Sequence, residues 1–143
     1  MEWHKNEAIN NFNQTWELID KKDRSKKETL NMIHKAHASL YHWSQVGTPL
    51  ELARGEWQIS RVYAISNMGE SALYHAQASL EYCLKHDYGD FDLAFAYEAI
   101  ARAHKIIENN EEKEKNLFLA KKAAEEIEKE DDKKYFLKEL GTI

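Results

Sequence analysis

The 143 residues suit one domain with a true core, and 43% hydrophobic against 31% charged residues is a globular balance rather than a disordered one. Five glycines and one proline leave little material for a many-turned β fold, while abundant Ala, Leu, Glu and Lys favour an all-α chain. A net charge of −5 argues against a nucleic-acid partner, which demands a basic face.

The first seven residues hold no apolar run to serve as a secretion signal, and no stretch has the length to span a bilayer. A cytoplasmic location and no membrane partner are expected. Residues 3–21 carry Ile9, Phe12, Trp16 and Ile19 at 3-4-3 spacing, the stripe of an amphipathic helix. After a break at residues 21–25, Ser25 with Glu28 forms a capping box for a second helix. That helix is expected to bury Leu30, Ile33, Ala36 or His37, Leu40 and Trp43, and to end on a left-handed Gly47. Thr48, Pro49 and Glu51 supply an N-cap, a first-turn proline and a box glutamate for a third helix, running to about residue 68 and closed by Gly69. A turn at Glu70 and Ser71 leads into a fourth helix ending near His86, in which Cys83 is expected to be a buried, inert thiol. Asp90 caps a fifth helix over about 91–108, where Asp90 and Asp92 read as acids on the positive end of the helix dipole. Asn109 and Asn110 turn the chain into a sixth helix to about residue 129, and a short helix over 131–140 finishes it. The mixed charges from Glu111 to Asp132 alternate with Leu117, Ala120, Ala124 and Ile127, so they read as a solvated helix face. Connections this short force antiparallel neighbours. The expected plan is one domain over 1–143, with hairpins at about 3–46, 49–86 and 91–129 and a cap at about 131–140.

A repeat runs through the second and third hairpins at an offset of 41 residues (104 minus 63). Ile59-Ser60, Tyr63, Ala72, Ala76 and Ser79 correspond to Ile100-Ala101, His104, Lys113, Leu117 and Ala120. This aliphatic-small-x-x-aromatic run, followed by small residues four and three apart, resembles the tetratricopeptide (TPR) signature, with Tyr97 where that family commonly carries tryptophan. Lys113 stands at a small-residue position, Glu56 at the aromatic one, and the repeat-end proline is missing. The segment Tyr41–Pro49 with Ala53–Trp57 is also similar to a group of uncharacterised bacterial TPR-like proteins. The resemblance implies antiparallel hairpins stacked as a short right-handed α-solenoid with a C-terminal capping helix. Ile59, Tyr63, Ala72, Ile100 and Ala101 are then expected to be buried.

In such a stack the first helix of each hairpin lines a concave face. There Arg54, Trp57 and Arg61 answer to Phe95, Glu98 and Arg102, which puts Arg61 beside Arg102 between two aromatic walls. Two guanidinium forks suit a carboxylate-bearing partner. The competing reading is an internal network, with Glu98 pairing to Arg102 at i,i+4 and to Arg61 across helices. The first reading predicts a non-catalytic module for a protein or peptide partner, with partly exposed arginines whose removal changes stability little. No glycine-rich phosphate loop, Cys-x-x-Cys pair or nucleophile elbow is present, so no catalytic residue, metal or cofactor is expected. One alternative is a small-molecule sensor or metal-dependent enzyme built on His34, His37 and Tyr41 at i, i+3 and i+7, a set that lacks the third or fourth convergent ligand of most metal sites. Another is a self-association scaffold, a homodimer through Trp3 and Trp16.

Overall fold

Capping chemistry decides where the helices begin. Ser25 accepts the Glu28 N–H at 3.1 Å while Glu28 accepts the Ser25 N–H at 2.9 Å. Likewise the Thr48 N–H and hydroxyl both donate to the Glu51 carboxylate at 3.0 Å. The computed structural model describes residues 2–143 and has seven helices: α1 (Glu2–Asp20), α2 (Lys26–Val46), α3 (Pro49–Ile65), α4 (Gly69–Lys85), α5 (Asp90–Ile107), α6 (Asn110–Ala124) and α7 (Glu130–Leu140). No strand occurs among the described residues.

Several helix ends differ from expectation. Gly47 is extended, at φ −86°, and not left-handed; the positive-φ positions are Asn67, Asp87, Asp90 and Glu108. Asn67, at φ 61°, stops α3 three residues early, and the Met68 N–H turns back to the Tyr63 carbonyl at 2.9 Å. Gly69 therefore opens α4 instead of closing α3, and Glu70 and Ser71 lie in its first turn. The need for glycine there is steric: a Cβ at Gly69 would sit 2.9 Å from both the Ile106 and Ile107 side chains. Helix α6 stops at Ala124, and the Glu128 N–H beyond it reaches the Asp90 carboxylate at 3.3 Å. That second bond gives Asp90 a role beyond its own helix, since its other oxygen accepts the Phe91 N–H at 2.6 Å.

Pairs α1–α2, α3–α4 and α5–α6 pack closely, and small residues at their crossings permit it. The Ser39 hydroxyl donates to the Ala8 carbonyl at 2.7 Å and the Ser79 hydroxyl to the Ala53 carbonyl at 2.8 Å. Early residues of one helix thus meet late residues of the next, so the pairs run antiparallel. Ala94 and Ala120, fully buried, hold the corresponding positions in the third hairpin. The first hairpin therefore shares the spacing of the other two, through Ala8 and Thr15 on α1 and Met32, Ala36 and Ser39 on α2, all buried. Ile9 and Leu30, expected on the buried stripe, are 38% and 49% exposed. A close crossing selects small side chains and displaces the bulky ones to its flanks. Ile59, Ala72, Ile100 and Ala101 are buried as expected, while Tyr63 is only half-buried. Helix α3 touches α1 and α5, and α5 touches α7, whose Phe136 and Leu140 join the core of α5 and α6.

Candidate functional site

The helices α1, α3, α5 and α7 bring one aromatic residue after another into contact. Trp16 on α1 lies 5.7 Å from Trp57 on α3, which meets Phe95 on α5 edge-on at 5.4 Å. Phe95 in turn contacts Phe91 at 4.6 Å and, on α7, Phe136 at 4.8 Å. The Trp57–Phe95 pair is the one the 41-residue register places together. Trp16, Trp57, Phe91 and Phe95 frame a half-open cavity of about 220 Å³, with Phe12 and Tyr135 also in its wall. Trp16 is half-buried in this wall, while Trp3, on the same helix, is 58% exposed.

Polar groups at the cavity are few. Arg54 grips Asp92 through two parallel bonds, Nε–Oδ1 at 2.9 Å and Nη2–Oδ2 at 3.1 Å, with the Arg54 side chain 53% exposed. Cys83 is buried beside them, and burial, aided by the Asp92 charge, pushes its thiol up to about 11, so it stays protonated and unreactive. The indole N–H of Trp57 is buried and has no hydrogen-bond partner among the described residues.

Arg61 and Arg102 are engaged inside the protein. Glu98 is fully buried, and its Oε2 accepts from Arg61 Nη2 at 3.3 Å and from Arg102 Nε at 2.8 Å. Arg61 Nη1 continues to Glu139 on α7 at 3.0 Å, and Arg102 Nη2 to the Glu139 carbonyl at 3.1 Å and the Thr142 hydroxyl at 2.8 Å. Arg61 is 9% exposed instead of opening onto a groove, and its guanidinium lies 5.2 Å over the Trp57 ring. Glu98 alone could not satisfy two guanidinium forks, and the further acceptors come from α7 and the residues just after it, which stand outside the repeat. Nothing in the 41-residue pattern points to Glu139 or Thr142.

The histidines of α2 separate. His34 and Tyr41 face solvent, and Tyr41 instead borders His4 and His42, whose Nδ1 atoms are 2.8 Å apart. His37 turns inward, with its Nε2 2.9 Å from the Tyr63 hydroxyl and its ring 5.5 Å from that of His75, which bonds Glu56 at 2.7 Å. No group of three or more His, Cys, Asp or Glu among the described residues could hold a metal. No helix of the described residues is long and apolar enough to cross a membrane.

Burial, followed by the nearby His75 charge, lowers the His37 pKa below its ordinary 6.5, against an opposing pull from Glu56. The unfolded chain then binds this proton more readily than the folded one. The His37 contribution is complete above pH 6.5 and is lost as pH falls toward the depressed folded value. Thermal midpoints should decline from pH 7.5 to about 5.5, and more steeply for the wild type than for His37→Gln. Parallel declines for the two proteins would remove His37 as the cause.

Compared with family models, curated proteins and solved structures, the chain finds no match, and its functional reading rests on its own geometry.

Proposed function

We propose that the chain is a short right-handed TPR-like solenoid acting as a non-catalytic interaction module in the cytoplasm. Its inner face, built from α1, α3, α5 and α7, receives a protein or peptide partner. Support for the solenoid comes from the small-residue crossing that recurs at Ala8–Ser39, Ala53–Ser79 and Ala94–Ala120, and from α3 lying between α1 and α5.

One observation carries the binding reading: the aromatic cavity draws a wall residue from each of the helices α1, α3, α5 and α7. A concave, mainly apolar site with few polar groups is the usual form of a binding pocket. On this reading Arg54, Trp57 and Phe95 contact the partner. Glu98 supports them by holding Arg61, whose guanidinium lies over the Trp57 ring, and Arg102 donates to the same Glu98 oxygen.

Affinity capture from a native lysate, followed by titration of the captured protein, tests the face. Arg54→Ala should weaken that interaction about tenfold. Tyr74→Ala, at a position 72% exposed on α4, should leave it unchanged. Loss with Tyr74→Ala and retention with Arg54→Ala would assign binding to the opposite side.

A further inference from the structure

The lining of the inner cavity specifies more than an apolar guest. We infer that it takes a single aromatic ring carrying a carboxylate on a short tether, a chemistry shared by free aromatic acids and by an aromatic side chain next to an acidic group in a peptide. This rests on the inner-face reading above.

Size sets the ring count. An apolar cavity of about 150 Å³ accommodates benzene. The 220 Å³ here therefore suits one ring with a short substituent and is too small for two. Shape favours a planar guest, because Trp16, Trp57 and Phe95 meet at tilted or edge-on angles of 33° and 74° and so offer both ring faces and ring edges.

Charge selects the substituent. A donor is left over in the lining: Arg54 Nη1, on a side chain 53% exposed, makes no hydrogen bond among the described residues. Arg54 and Trp57 are three residues apart on α3, neighbours on one helix face. Asp92, the acidic group of the lining, is already paired with Arg54. Aromatic enclosures commonly hold cations. In this one a cation meets no free carboxylate in the lining, whereas an acid meets the free Nη1 of Arg54.

Calorimetry with 3-phenylpropionate, 3-phenylpropanol and phenethyltrimethylammonium separates these outcomes on the intact chain. The acid should bind about tenfold tighter than the alcohol, the advantage of one charge-assisted hydrogen bond, and the ammonium weakest. Arg54→Gln, an exposed change that leaves the core intact, should abolish the advantage of the acid and leave the alcohol unaffected. In NMR spectra the Trp57 indole N–H signal, identified by its loss in Trp57→Phe, should shift on adding the acid. A capped Phe-Asp dipeptide added in parallel distinguishes the sources: tighter binding than the free acid points to a peptide, weaker binding to a small metabolite. Equal or better binding of the alcohol or the ammonium, or acid binding that leaves the Trp57 signal unmoved, would overturn the inference. If no probe binds while protein capture still depends on Arg54, the ligand class is wrong and the inner-face reading stands. If capture ignores Arg54, the inner-face reading itself fails.

Discussion

Glu98→Ala is expected to destabilise the protein by about 3 kcal/mol, read as a lowered denaturant midpoint at unchanged slope. Glu98 is 0% exposed and holds Arg61, itself 9% exposed, together with Arg102. Removing one member of a buried ionic cluster leaves charge without compensation, a loss of about 3–5 kcal/mol in comparable cases. The lower end applies because Glu139 still reaches Arg61, and Thr142 still reaches Arg102. Arg61→Ala should also destabilise, by about 2 kcal/mol, since it strips Glu98 of one donor and Trp57 of the cation over its ring. The sequence alone predicts a small stability effect from exposed arginines; burial of Arg61 against Glu98 reverses it. Unfolding free energies within about 0.5 kcal/mol of wild type for both variants would show that the network contributes nothing to the fold.

Phe136→Ala should be comparably severe, with a loss of about 3–5 kcal/mol. Phe136 is completely buried and packs edge-on against Phe95 at 4.8 Å, so truncation leaves a void where α7 meets α5. Helix α7 has two buried apolar anchors in the core, Phe136 and Leu140, with further hold from Tyr135 against Phe95, from the contact of Glu139 with Arg61, and from Thr142 and Ile143 just after the helix. Amide hydrogen exchange should therefore accelerate first in α7, while the α3–α4 pair keeps its protection. The same release would uncover Arg61 and Arg102. Unchanged α7 protection, with a loss below about 1 kcal/mol, would mean that this helix is held by something other than Phe136.

The helices, their pairing and part of the site were legible in the sequence because each depends on neighbours along the chain. Capping at Ser25 and Thr48 is settled within four residues, and short connections leave an antiparallel partner as the available neighbour. The 41-residue repeat brought Trp57 and Phe95 together, since equal spacing in two hairpins puts equal positions on equal faces.

Tertiary structure decided the rest. Which residues enter a close helix crossing depends on the distance between two axes, so Ala8 and Met32 went in while Ile9 and Leu30 stayed out, though all four are apolar. Asn67 rather than a glycine took the left-handed turn, and Gly69 was reserved for contact with Ile106 and Ile107, residues about forty positions away along the chain. Above all, the fate of Arg61 and Arg102 turned on where α7 lies. That helix follows no repeat, and its own pattern says which face is apolar but not which surface the face will cover. Only its docking through Phe136 and Leu140 brings Glu139 and Thr142 to the two guanidinium groups. A pair of charges that reads as an open binding site along the chain is thereby closed into a buried network, and the apolar cavity beside it is left open.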